Sequence, residues 1–153
     1  MKEETMSTPG HGTFNASFQQ KSDGVSLVAI NTIAIYYFVK AYELAQSGQA
    51  MPEGFGQLAL TALILIVVLE IVLQTVLTIG AGGSQAPTGR DQQAALLAGR
   101  NAYGVLATGL LAVFASAFFH STPFVMANLA LLFFVLAKIT KFASRLVYYR
   151  RTA

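Results

Sequence analysis

The sequence contains no cysteine, and only 11% of its residues are charged. Without cysteine the chain has no disulfide, no thiolate metal ligand and no cysteine nucleophile. A soluble domain carries about 25% charged residues, so the polar residues of this chain are too few to cover a water-soluble core. The two histidines, His11 and His120, lie outside the apolar segments and far apart in sequence, so they do not form a pair for haem or a metal.

Enzyme motifs are missing as well. The chain has no H-E-x-x-H zinc motif, no G-x-S-x-G serine motif and no G-x-x-x-x-G-K-[ST] phosphate loop. The glycine-rich segment 80–83 lacks the lysine and the strand that a phosphate loop requires. We therefore predict no enzyme activity, no cofactor and no metal site.

Long apolar segments are what the sequence does contain. Hydrophobic residues make up 54% of the chain, and its mean hydropathy is +0.56. Four apolar segments cover residues 25–44, 58–79, 99–119 and 124–143. Each is close to the roughly twenty residues that a helix needs to cross a hydrocarbon layer about 30 Å thick. The sequence therefore predicts an all-α, polytopic membrane protein with four transmembrane helices.

The composition divides the chain into three parts. Residues 1–24 are polar and predict a mobile N-terminal tail, residues 25–149 form the transmembrane domain, and residues 150–153 are a basic C-terminal end. Tyr37, together with Tyr36 and Tyr42, lies near the end of the first span, which is typical of an interfacial aromatic belt.

The polar connections predict two hairpins. The first connection contains Gly48, Pro52 and Gly54, a combination that favours a turn. The third connection is very short, and in it Thr122 can cap a helix while Pro123 can occupy the first helical position. We therefore expect a four-helix bundle made of two antiparallel hairpins.

Lysine and arginine are distributed unevenly around the four segments. Eight of the ten lie in the N-terminal segment, around the second connection or at the C-terminus, namely Lys2, Lys21, Arg90, Arg100, Lys141, Arg145, Arg150 and Arg151. The first and third connections contain none. By the positive-inside rule both termini and the second connection are cytoplasmic, an N-in/C-in topology. These charges suit anchoring at lipid headgroups, so we predict the lipid bilayer as partner and no nucleic acid.

A few strongly polar residues lie inside the predicted spans. Glu70 and Gln74 share one face of the second span, Asn31 lies in the first and Lys138 in the fourth. A helix rise of about 1.5 Å per residue puts Glu70, Lys138 and Asn31 at similar depth. An unpaired charge at that depth costs about 2.5–3.5 kcal/mol on insertion scales. The sequence therefore predicts an intramembrane polar cluster with an ion pair between Glu70 and Lys138.

Two roles for this cluster stay open. As interhelical glue, an ion pair and two amides fix the register of the helices. As a functional site, Glu70 handles protons or cations with Gln74 and Asn31 as nearby ligands. Lys138 can also extend towards the headgroups and leave Glu70 protonated.

Small residues recur every four positions in the third span. Gly104, Thr108, Ala112 and Ser116 predict a ridge along which another helix can approach closely. We expect this ridge to pack against a helix of the same chain, and a homodimer seam is the alternative.

The second half of the chain carries three short motifs. They are Arg90-Asp91, then Arg100-Asn101-Ala102-Tyr103, and the closing Arg145-Leu146-Val147-Tyr148-Tyr149-Arg150-Arg151. With these motifs the chain resembles a family of small uncharacterised four-span bacterial membrane proteins, classed as a domain of unknown function. The resemblance implies a location in the bacterial inner membrane and implies no activity, substrate or catalytic residue.

These observations favour an integral inner-membrane protein without catalytic activity of its own. We expect an accessory, sensory or assembly partner of another membrane system, associated with a second copy or with an unknown membrane protein. The alternative is a small proton- or cation-coupled transporter that works as an oligomer around Glu70. A transporter needs a polar cavity that reaches Glu70, whereas an accessory protein can be sealed around it.

Overall fold

The computed structural model describes residues 12–80 and 89–151, which form four α-helices and their connections. Helix α1 is Gly12–Ala45, α2 is Phe55–Gly80, α3 is Gly89–Phe118 and α4 is Pro123–Arg151. No strand occurs in these two ranges. The prediction of an all-α chain is confirmed for the part that the structure describes.

Each helix contains a stretch that is long and apolar enough to cross a membrane. These stretches are Asp23–Ala45, Phe55–Leu73, Gln92–Phe118 and Pro123–Tyr148. Large apolar side chains such as Ile71, Leu96 and Leu110 are more than half exposed on the protein surface. Contact between such side chains and lipid is favourable in free energy, whereas their contact with water is unfavourable. The prediction of four helices able to span a membrane is confirmed, and it indicates a multi-pass membrane protein.

Helix α1 begins well before the predicted start of the first span. Residues 12–24 are helical where the sequence predicts part of a mobile tail, and Asp23 is buried. A helix that is already nucleated extends at little cost, and no proline follows Gly12 within α1 to stop it. Residues 1–11 of the predicted tail lie outside the described part.

Local backbone geometry accounts for the connections. Gly48 and Gly54, between α1 and α2, have φ values of 69° and 77°, a left-handed conformation that glycine adopts without strain. The start of α4 agrees with the prediction, since Pro123 is its first residue. Thr122 Oγ1 caps it by accepting a hydrogen bond from the backbone N–H of Val125 at 3.4 Å.

The core lies between α1, α2 and α4. One cluster of buried side chains consists of Ile30, Ala34, Ile66, Val135 and Phe142. A second cluster consists of Tyr37, Ala41, Phe55, Ala62 and Leu131. Helix α4 contributes to both clusters and also contacts α3, whereas α3 contacts no other helix within the described residues. Helix α4 is therefore central, and in the part of the chain that the structure describes α3 packs against α4 alone.

Candidate functional site

Glu70 on α2 is in contact with Lys138 on α4, and a third charged residue joins them. Lys138 Nζ donates a hydrogen bond to Glu70 Oε2. Lys141 Nζ, one turn further along α4, donates to the other carboxylate oxygen, Oε1, at 2.9 Å. Each oxygen of Glu70 therefore has its own ammonium group. Glu70, Lys138 and Lys141 are named the Glu70 triad below.

Glu70 and Lys138 meet because they lie equally far from the first residue of α2 and of α4. Glu70 is the fifteenth residue after Phe55, and Lys138 is the fifteenth after Pro123. At that end of the two helices the rings of Phe55 and Phe124 are in contact, with their centroids 4.6 Å apart. An equal rise along both helices then brings Glu70 and Lys138 to one level.

The side chains of the triad are largely removed from solvent. The Glu70 side chain is 12% exposed, and those of Lys138 and Lys141 are 21% and 30% exposed. The Lys138 ammonium also lies 5.2 Å from the centroid of the Phe134 ring, within range of a cation–π attraction. Hydrogen bonds between charged groups are roughly twice as strong as neutral ones. The triad therefore holds α2 against α4.

Lys141 is the member of the triad that the sequence analysis missed. Its place near the basic C-terminus predicts an anchoring charge, and nothing in that pattern indicates a carboxylate partner. The spacing between Lys138 and Lys141 could have predicted its role, because residues three apart in a helix are neighbours on one face. Two ammonium groups on one face can share a single carboxylate of a neighbouring helix.

A second ion pair links α1 to α4. Arg145 Nη1 lies 3.3 Å from Asp23 Oδ1, and the Asp23 side chain is 2% exposed. The other carboxylate oxygen of Asp23 is buried and has no hydrogen-bond partner among the described residues. Arg145 follows Lys141 by four residues on the same face of α4, so the pair and the triad are neighbours. The sequence analysis did not predict this ion pair, because it assigned Asp23 to the mobile tail outside the folded domain.

Asn31 does not join the triad, although its predicted depth is similar. Its Nδ2 donates a hydrogen bond to the backbone carbonyl of Leu27, one turn earlier in α1, at 2.8 Å. This local bond gives the amide nitrogen a partner within its own helix, so equal depth does not require a contact with Glu70. The side chain of Gln74 lies outside the described residues, and its membership of the cluster stays a prediction.

A neutral hydrogen bond forms a further link between α1 and α4. The hydroxyl of Tyr37 donates to Asn128 Oδ1 at 2.9 Å, and Asn128 Nδ2 donates to the carbonyl of Phe124 at 2.8 Å. Tyr37 is 0% exposed, whereas Tyr36 and Tyr42 are exposed. The assignment of Tyr37 to an interfacial belt is wrong, because its ring is in the core and its hydroxyl has a partner there.

Three grooves on the protein surface lie apart from the triad. One of about 330 Å³ lies between α3 and α4 and is lined mostly by apolar residues that include Gly109 and Phe133. One of about 390 Å³ lies between α1 and α4, and one of about 460 Å³ lies near Asn101 and Ser144. None of the three is lined by a residue of the triad. Within the described ranges no group of three or more histidine, aspartate and glutamate side chains is arranged to hold a metal ion.

Known proteins give no further guide to this site. No family model, curated protein or solved structure matches the chain. The resemblance of the second half of the chain to the four-span family stays a prediction. The functional assignment therefore depends on the contacts of the charged residues.

The predicted ridge of small residues on α3 is only partly in contact with another helix. Gly104 and Thr108 are exposed, and a Cβ atom added to Gly104 would meet no atom within 4 Å. Ala112 and Ser116, further along α3, are half-buried. The expectation that the whole ridge packs against a helix of the same chain is therefore wrong for its first half.

The close approach of α3 to α4 is at Gly109, which the predicted ridge does not include. A Cβ atom added to Gly109 would collide with the side chain of Phe133 on α4. Among the positions of α3 that are at least partly buried, six follow one another in alternating steps of four and three residues: Ala98, Ala102, Val105, Gly109, Ala112 and Ser116. Their mean step of about 3.6 residues equals one helical turn, so these positions form a seam along one face of α3. A step of four turns about 40° further around a helix of about 3.6 residues per turn, so the predicted ridge crosses the seam obliquely. Ala112 and Ser116 lie on the seam, whereas Gly104 and Thr108 do not.

Proposed function

We propose that this chain is a multi-pass membrane protein without catalytic activity of its own, which acts as an accessory subunit of another membrane system. Its role there is to assist assembly or to sense the state of that system. The Glu70 triad is the observation that carries the proposal, because it occupies the one acidic side chain of α2 with two fixed ammonium groups. A carboxylate held in this way stabilises contact between helices.

A proton- or cation-coupled transporter around Glu70 is the rival function. Such a transporter needs a carboxylate that exchanges its ligand along a polar pathway. Glu70 has an ammonium partner on each carboxylate oxygen, its side chain is 12% exposed, and the three grooves described above do not include it. The surroundings of Glu70 therefore favour a structural role in an accessory protein.

We further propose that the four helices alternate in direction and form two antiparallel hairpins with both chain ends in the cytoplasm. The order of the contacts between α1 and α4 supports this arrangement. Asp23 meets Arg145, whereas Tyr37, further along α1, meets Asn128, earlier in α4. Basic residues gather at the end that holds Arg145, and the positive-inside rule makes that end cytoplasmic. The resemblance to the four-span family supports the bacterial inner membrane as the location.

The partner that we propose is another membrane protein, with a second copy of this chain as the alternative. Among the described helices α3 contacts α4 alone, and its side chains Leu96, Leu110 and Phe114 are more than 60% exposed. Association between helices in lipid is driven by packing, so a partner helix can replace lipid on such a surface.

The test is capture of the tagged protein from its native membrane in a gentle detergent, followed by quantitative mass spectrometry. We expect one membrane protein to be captured in stoichiometric amount. The control is an unrelated four-helix membrane protein with the same tag, which should not capture it. Purified protein in liposomes with an internal pH dye should show no more proton flux than the Glu70→Gln variant.

Two outcomes would contradict the accessory role. One is the absence of any stoichiometric partner, including a second copy of the chain. The other is a saturable proton or cation flux that Glu70→Gln abolishes, which would establish the transporter instead.

A further inference from the structure

The Glu70 triad has one more positive than negative charge. Glu70 supplies one carboxylate, whereas Lys138 and Lys141 supply two ammonium groups. The neighbouring pair of Asp23 and Arg145 adds one charge of each sign. A charge in apolar surroundings is costly unless an opposite charge accompanies it. The triad therefore favours the approach of one further anion.

Lys141 is the member of the triad nearest to the C-terminal end of the candidate membrane-spanning stretch of α4, Pro123–Tyr148. Lys141 is the eighteenth residue after Pro123. At about 1.5 Å per residue its Cα lies about 27 Å along α4 from Pro123, which compares with a hydrocarbon layer about 30 Å thick. The Lys141 ammonium, paired with Glu70, therefore lies near the boundary between the hydrocarbon and the headgroups, where a lipid phosphate can approach it.

Within the described residues, no helix covers one side of the triad. Helix α3 contacts α4 but not α2 within the described residues, so it does not cover the junction of α2 and α4. This agrees with the 30% exposure of the Lys141 side chain, which persists although its ammonium group is ion-paired. Val67 and Ile71, on either side of Glu70 in α2, are exposed apolar residues against which an acyl chain can lie.

From this charge count and position we propose that the Glu70 triad binds the phosphodiester group of an anionic phospholipid. Lys141, the more exposed lysine, donates to a phosphate oxygen while it remains paired with Glu70, and the acyl chains lie along α2. The lipid completes the charge balance that the three side chains leave unfinished. This site requires only that the chain is in a membrane and is independent of the accessory role.

Native mass spectrometry of protein from micelles with equal amounts of phosphatidylglycerol and phosphatidylcholine tests the proposal. Wild-type protein should retain phosphatidylglycerol about fivefold over phosphatidylcholine, the ratio that about 1 kcal/mol of attraction per charge gives. Lys141→Gln removes the surplus charge but leaves Glu70 paired with Lys138, so the ratio should fall to near one. Lys40→Gln is the matched control, because Lys40 is balanced by Glu43 in an exposed pair within α1, and it should leave the ratio unchanged.

Equal retention of the two lipids by the wild type would overturn the proposal, and so would an undiminished preference in a folded Lys141→Gln variant. Lys141→Arg keeps the charge and should keep the preference, which makes the site testable even if Lys141→Gln does not fold. Inorganic phosphate, added in neutral detergent, should not raise the melting temperature, whereas phosphatidylglycerol should. An equal rise with phosphate alone would assign the site to a free anion and overturn its assignment to lipid.

Discussion

At the scale of single residues, Lys141 gives Glu70 a second ammonium partner. Replacing one of the two lysines should therefore lower the free energy of unfolding less than replacing Glu70. Glu70→Gln leaves two ammonium groups without their carboxylate, so we expect the free energy of unfolding to fall by about 2–3 kcal/mol. Lys138→Met leaves Glu70 paired with Lys141, so its cost should be smaller, about 1 kcal/mol. Reversible unfolding in detergent, followed by circular dichroism, measures both.

The same comparison extends to variants that remove every charge of the triad. Replacing Glu70 by Gln and both lysines by Met leaves no unpaired charge, so this triple variant should be more stable than Glu70→Gln alone. Lys40→Gln, which breaks only an exposed pair, should change stability by less than about 1 kcal/mol. Equal costs for Glu70→Gln and Lys138→Met, or strictly additive costs across the set, would show that the three side chains do not act together.

At the scale of helices, Gly109 and Gly104 provide a matched pair within α3. Gly109→Leu puts a bulky side chain where α3 and α4 are closest, so it should lower stability by about 1–3 kcal/mol. Gly104→Leu adds the same side chain where no atom lies within 4 Å of an added Cβ, so it should have little effect. Thermal unfolding in detergent measures the difference.

Hydrogen exchange can locate the effect within the molecule. Because α3 contacts only α4 over residues 12–80 and 89–151, Gly109→Leu should increase exchange in α3 while the buried clusters of α1 and α2 keep their protection. A loss of stability in Gly104→Leu that equals the loss in Gly109→Leu would mean that the contact surface of α3 is not the one seen here.

At the scale of the whole molecule, the distribution of basic residues predicts where each connection lies. Eight lysines and arginines belong to the termini and the second connection, and none lies in the first or third. Reporters fused after Met1 and after Ala153, and one inserted at Gly89, should therefore report the cytoplasm. A reporter inserted near Gly48 should report the periplasm. A periplasmic signal from the C-terminal fusion would reverse the topology and move the triad to the opposite leaflet.

Much of the architecture can be predicted from the sequence because it depends on local properties of the chain. The four spanning helices follow from the lengths of the apolar segments. At a rise of about 1.5 Å per residue, each segment forms a helix about as long as the hydrocarbon layer is thick. The start of α4 follows from Thr122 and Pro123, whose effects act within one turn. The contact between Glu70 and Lys138 follows from their depth, because an unpaired charge is costly wherever the helices pack.

Only the tertiary structure decided which faces of the helices meet. It made α4 central, brought Lys141 to Glu70, and used Gly109 instead of Gly104 for the close approach of α3. The position of a residue in the sequence of a helix determines its depth along the helix axis and its angle around that axis. It does not determine how the helix is rotated about its axis relative to neighbouring helices. In lipid the surroundings are as apolar as the core, so hydrophobicity does not set that rotation, and close packing with polar contacts between helices does.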